Sequence, residues 1–173
     1  AALIFGGGHI SRSLAKVLDI AGFAVSVVDN REAFANRERF PEARQVFAEE
    51  YEEIFPRLNI TSSTYIVIVT RGHRDDMRVL RWAIATAARY VSMIGSKRKT
   101  IAVIRELERD GVPAEAFERL HAPMGLEIGA VSPEEIAISV AAEMIAVRRD
   151  PEGNWRSLSK SVYADERIRA LLK

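Results

Sequence analysis

The chain has 173 residues, with 25 Lys and Arg against 24 Asp and Glu, and no cysteine. That near-neutral balance gives no basis for a nucleic-acid or membrane-surface partner. The missing thiols exclude disulfides and thiolate metal sites, and they fit a reducing, cytoplasmic setting. Hydrophobic residues make up 48% of the chain, yet no apolar run reaches the ~20 residues that span a bilayer. One globular domain with a substantial core is expected. No secretory leader is evident. The first residues read as a core strand without an initiator methionine, so further sequence upstream is expected.

The first element is the apolar run Ala2-Leu3-Ile4-Phe5, followed at once by Gly6-Gly7-Gly8-His9-Ile10-Ser11. A helical pattern comes next, with Ile10, Leu14, Val17, Leu18 and Ala21 on one face, and Gly22 stops it. Phe23 to Val28 is a second β-branched run that ends at Asp29. Strand, glycine turn, helix, strand and acid form the pattern of a dinucleotide-binding βαβ unit. Gly6 permits a tight turn out of the strand, and Gly8 lets a pyrophosphate approach the backbone. The helix start points unpaired N–H groups and a positive dipole end at the same place. Asp29 lies about 20 residues beyond the turn, where an acid accepts hydrogen bonds from a ribose. Ser11 stands where the pattern has a third glycine, and its hydroxyl is a candidate phosphate donor.

A polar loop follows from Asn30 to Pro41, with Phe34 and Phe40 as its buried aromatics. Arg44 to Ala48 reads as a third strand, and Glu49 to Leu58 as an amphipathic turn or two broken at Pro56. Thr64 to Thr70 is a near-continuous apolar run, the signature of a central parallel strand covered on both faces. Asp75 to Ala88 is a predicted helix with Met77, Leu80, Ile84 and Ala87 inward. Tyr90 to Ile94 is the next strand. Ser96 to Arg109 is a helix with Ile101, Ile104 and Leu107 inward, stopped by Gly111 and Pro113. Ala114 to Arg119 reads as a short helix, Leu120 to Ala122 as a last strand, and Pro123 to Gly129 as a loop. Ser132-Pro133-Glu134-Glu135 is a helix start with Ser at N-cap, Pro at N1 and Glu at N3, and that helix runs to about Arg149. Asp165 to Leu172 reads as a short helix or a docking tail. The alternation predicts an α/β, Rossmann-like, doubly wound, mostly parallel sheet with helices on both faces. The expected domain covers residues 1–149, with a tail over 150–173.

Ligands bind such sheets beyond the carboxyl ends of the strands. The residues expected there are Gly6, Gly7, Gly8, His9, Ile10 and Ser11, then Asp29, Asn30 and Arg31, then Thr70 and His73. Gly95, Ser96 and Lys97, then Pro123 and Gly125, complete the rim. His9 is placed to bond a phosphate or to face solvent. His73 is placed as an acid–base group or as part of the next helix start. His121 reads as a structural histidine, and no local spacing supports a metal site. Lys97, Arg98 and Lys99 open a helix against its dipole, which suggests an anion at that end. Arg31 is within reach of a 2′-phosphate, so the expected cofactor is NAD or NADP. No residue is assigned a catalytic role.

Several stretches together resemble the Rossmann domain of the XdhC/CoxI family, accessory proteins of xanthine dehydrogenase and related molybdenum hydroxylases. They are Gly6 to Ser11, Val28 to Pro41, Val69 to His73, and Tyr90 to Lys99. The most specific is His121-Ala122-Pro123-Met124-Gly125-Leu126-Glu127-Ile128-Gly129-Ala130 with Ser132 to Ala137. The resemblance covers about Leu3 to Arg149. It implies a role in maturing a molybdoenzyme by binding molybdenum cofactor (molybdopterin) and aiding its sulfuration or insertion. It also implies a molybdenum hydroxylase apoenzyme as partner, with a cysteine desulfurase as a second candidate and a homodimer as a candidate assembly. Full-length members carry an N-terminal domain with a cysteine-containing motif, which this sequence lacks. The glycine turn itself does not choose between NAD(P) and a pterin dinucleotide, since both carry a pyrophosphate. An NAD(P)-dependent oxidoreductase and a nucleotide-gated regulatory domain are the competing readings.

Overall fold

A computed structural model describes residues 1–150. The expected helix over Asp165 to Leu172 lies outside them. The strands are β1 (Ala2–Phe5), β2 (Val25–Val28), β3 (Gln45–Phe47), β4 (Tyr65–Ile68), β5 (Tyr90–Met93) and β6 (Leu120–His121). The helices are α1 (His9–Ile20), α2 (Tyr51–Ile54), α3 (His73–Ile84), α4 (Lys97–Arg109) and α5 (Pro133–Arg149). Short 3-10 turns cover Phe55–Arg57 and Ala114–Arg119.

All strand pairs are parallel, in the order β3-β2-β1-β4-β5-β6. The chain steps outward from β1 to β3 and then crosses back to lay β4 on the other side of β1. That reversal is the topological switch point, and ligands bind such sheets above the carboxyl ends of the strands that flank it, here β1 and β4. The central strands are buried on both faces, as their continuous apolar runs require. One layer packs Phe5, Ile66, Ile68 and Met93 under α3 and α4, with Tyr51 and Ile54 of α2 at its edge. The other packs Ile4, Val27, Val67 and Tyr90 under α1 and α5.

Three sequence expectations shift. In α1 the buried line is Ser11, Leu14, Ala15 and Leu18. Ile10, Val17 and Ala21 are only half-buried. Here α1 packs against α5 as well as the sheet, and the small residues Ser11 and Ala15 allow two helices to approach. The α3 helix begins at His73, two residues early, because Gly72 turns the chain at φ +92°. It ends at Ile84, where Thr86 Oγ1 donates to the Ala83 carbonyl at 2.7 Å. Ala87 is therefore exposed and Ala88 is buried instead. Phe40 is fully buried as expected, whereas Phe34 is half-buried beneath an arginine.

Candidate functional site

The glycine turn leaves β1 at the switch point. Gly6 adopts φ +106°, and a Cβ there would lie 2.4 Å from the Val69 carbonyl oxygen, so the turn presses directly on the end of β4. A Cβ on Gly7 would meet the Phe34 carbonyl oxygen at 2.3 Å. Gly8 differs from both. Its φ of −73° and ψ of −169° suit any residue, and a Cβ there would have nothing within 4 Å. It caps α1 with no side-chain hydrogen bond, and the first turn of that helix holds no acid. The helix therefore presents unpaired N–H groups and its positive end to open space. Ser11 is fully buried in the same turn, and its hydroxyl has no hydrogen-bond partner among the described residues. His9 is exposed and Ile10 half-buried at the helix start.

Asp29 closes the adjoining corner. Its Oδ2 accepts from the Gly7 N–H at 2.7 Å and from an Arg31 Nη at 2.8 Å. Its Oδ1 accepts from the Arg31 N–H at 3.0 Å and from Arg31 Nε at 2.8 Å. Burial by itself would raise this carboxyl, but the hydrogen bonds from Arg31 and Gly7 outweigh it and hold it below the usual carboxylate range. The Arg31 guanidinium carbon sits over Phe34, 3.8 Å from the ring centre, and Arg39 approaches the same ring at 5.2 Å while donating to the Gly7 carbonyl at 3.1 Å. Asn30 turns away and donates to Glu50 at 3.0 Å.

Across the switch point, Thr70 Oγ1 donates to Asp76 at 2.6 Å, and Lys99 Nζ pairs with the other oxygen of Asp76 at 2.5 Å. Asp76 is fully buried in the first turn of α3. Burial pushes its carboxyl up, and Lys99 and Thr70 offset only part of that. Lys99 thus pairs with a buried acid, while Lys97 is exposed. Ser96 caps α4 by accepting from the Lys99 N–H at 3.2 Å. His73 faces a different surface. Its Nδ1 sits 3.8 Å from Glu106, in a groove floored by Phe55, Met77 and Trp82.

Past β5 and β6, the loop after Ala122 is anchored by α5. Glu143, fully buried, accepts from the Gly125 N–H at 2.8 Å and from Tyr90 Oη at 2.5 Å, and its other oxygen lies 3.2 Å from His121 Nδ1. Burial first, and Glu143 second, raise the Tyr90 phenol well above its ordinary range. Ser139 Oγ donates to the Leu126 carbonyl at 2.8 Å. This loop walls a cavity of about 400 Å³ with Ile94, Gly95, Pro123 and Met124. Gly125 itself is buried, 2.5 Å from Ser139 Oγ at its Cβ position.

The structure therefore gathers Gly6, Gly7, Gly8, Asp29 and Arg31 in one corner and Gly95 and Pro123 around the cavity. It sends Asn30 and His73 elsewhere. Among the described residues, no three His, Asp or Glu side chains are grouped to hold a metal ion. Sequence reading missed Asp76, Arg39 and Glu143. Two of them left a signal: Asp76 and Glu143 are acids on the inward faces of α3 and α5, a costly place unless each has a built partner.

A parallel sheet in this order, with a glycine turn and an acid closing its first βαβ unit, defines a Rossmann-type domain. The family model described as the XdhC Rossmann domain matches residues 2–144, and the chain belongs to that family. It is 33% identical over 152 residues to the uncharacterized protein YqeB of Escherichia coli, covering 87% of this chain and 28% of that protein. It is 30% identical over 147 residues to a probable xanthine dehydrogenase subunit of Bacillus subtilis, covering 85% of this chain and 42% of that protein. A crystal structure described as a xanthine dehydrogenase from Bacillus halodurans superposes with a TM-score of 0.74 at 29% identity, over 86% of this chain and 42% of that one. The chain thus spans less than half the length of these relatives. Among the described residues, no helix is long and apolar enough to cross a membrane.

Proposed function

We propose that this chain is the cofactor-holding domain of an accessory protein for a xanthine dehydrogenase-type molybdoenzyme. In this reading the pyrophosphate of a dinucleotide, NAD(P) or a pterin dinucleotide form of molybdenum cofactor, rests on the glycine turn. The domain then serves sulfuration or insertion of molybdenum cofactor in the apoenzyme. Gly8 carries the cofactor reading. Its backbone geometry does not demand glycine and no neighbour crowds it, yet it stands bare at an uncapped helix start. A missing Cβ there is explained by a ligand that needs the space. The unpartnered Ser11 hydroxyl in the same turn fits a site that the chain leaves unfinished. The accessory role draws on family membership and on the relatives named for xanthine dehydrogenase.

The residues present fit a pyrophosphate. Gly8 and the N–H groups of α1 would bind it, Arg31 and Asp29 would border the adjoining ribose, and the wall from Gly95 to Met124 would enclose the second half of the ligand. Bound nicotinamide would supply hydride chemistry, and bound molybdopterin the metal centre to be delivered. Calorimetric titration of the purified chain with NADPH and NADH tests the first part. Gly8→Val is expected to lower affinity at least ~10-fold with an unchanged circular dichroism spectrum. Equal affinity in that variant would show that the site lies elsewhere. Co-purification with a xanthine dehydrogenase-type apoenzyme tests the second part, and the absence of both association and retained cofactor would count against it.

A further inference from the structure

We propose that the ribose corner of this site selects a ribose bearing a phosphate, with Arg31 as the specificity-determining residue. The inference rests on the dinucleotide reading above and deepens it. A carboxylate offers about four lone-pair directions. All of those on Asp29 are taken by the chain itself, three of them by Arg31. The carboxylate is 1% exposed. A plain ribose diol approaching this corner finds no open acceptor, and it gains one only by expelling a bidentate guanidinium.

What the corner shows to an incoming ligand is cationic instead. The Arg31 side chain is 32% exposed, and its remaining Nη makes no hydrogen bond among the described residues. Phe34 packs against the guanidinium at 3.8 Å and Asp29 holds two of its N–H groups, so the fork has a defined position. Arg39 adds a second guanidinium at the same ring and makes no ion pair among the described residues. A 2′-phosphate brings acceptor oxygens that meet these donors without breaking the Arg31–Asp29 pair. Asp29 then serves as the positioning residue that aims Arg31, and the glycine turn is locked to the same carboxylate through the Gly7 N–H.

The test is calorimetric titration of wild type, Arg31→Ala and Arg31→Lys with NADPH and NADH. Wild type is expected to prefer NADPH by at least about tenfold. Arg31→Ala is expected to lose that preference, weakening NADPH and strengthening NADH as Asp29 becomes open to the ribose. Arg31→Lys keeps the charge but not the fork, so an intermediate ratio is expected, and it reports the ratio should the alanine variant not fold. Binding of both cofactors at a ratio that neither variant changes would overturn this inference and leave the dinucleotide site standing. No binding of either cofactor by wild type or by a folded Arg31 variant would overturn this inference and, with it, the NAD(P) form of the dinucleotide reading. Inorganic phosphate is expected not to displace NADPH at equal concentration; displacement would mean that the corner reads a bare anion and not a phosphorylated ribose.

Discussion

A methyl group placed on Gly6 would stand 2.4 Å from a backbone carbonyl oxygen, at a φ that L-residues rarely adopt, whereas one placed on Gly8 would meet open space. Two glycines in one turn thus differ in what demands them: the fold requires Gly6, whereas nothing in the fold requires Gly8. Gly6→Ala is expected to destabilise the chain by ~2–4 kcal/mol through clash and backbone strain. Gly8→Ala is expected to stay within ~1 kcal/mol of wild type, the small difference between Gly and Ala at a helix N-cap. Urea unfolding midpoints check both, and equal losses would remove the distinction. The spacing of these glycines is legible in the sequence because a turn between strand and helix is a local demand. The state of Asp29 is not. Its position marks it as a ribose acceptor, but its satisfaction by Arg31 depends on how the loop from Asn30 to Pro41 folds back and seats Phe34 beneath the guanidinium. Nothing periodic in that loop records the fold-back.

Helix starts divide the same way. At α5, Ser132 accepts from the Glu135 N–H at 3.2 Å, and the Glu135 carboxylate returns to the Ser132 N–H at 2.9 Å. This capping box is legible because all its parts lie within four residues. Ser132→Ala is expected to cost about 1 kcal/mol, read as a lower thermal or urea midpoint. The start of α3 falls two residues ahead of the sequence pattern, since only the positive φ at Gly72 brings His73 into the first turn. In α1 the helix itself is legible, but its inward line is not, because α5 arrives from far along the chain to pack on it. The strands are the easiest reading, since apolar runs buried on both faces need no partner information. The clusters around Asp76 and Glu143 join elements distant in sequence and emerge only once the sheet is ordered. A loss at Ser132→Ala well beyond that of an ordinary cap would show that α5 also supports the rest of the fold through Glu143 and Ser139.

At the scale of the whole molecule, two buried acids near the rim act on stability in opposite senses, and the pH profile separates them. Burial raises the Asp76 carboxyl above its ordinary value of 3.8, with Lys99 and Thr70 offsetting only part of that. The folded chain takes up this proton at a higher pH than the unfolded chain. Its contribution is therefore fully present below about 3.8 and is lost as pH rises through the folded value. Asp29 runs the other way, since its hydrogen bonds from Arg31 and Gly7 overcome burial and lower it from the same 3.8. Its contribution is present above that value and is lost as pH falls through the folded one. Urea midpoints measured from pH 7 downward are expected to show the Asp76 gain first and the Asp29 loss below it. Asp76→Asn should remove the gain on the upper limb and leave the lower one falling. Asp29→Asn should flatten the lower limb and leave the upper one rising. If both variants trace the wild-type slope at every pH, neither carboxylate is coupled to folding as its burial and partners require.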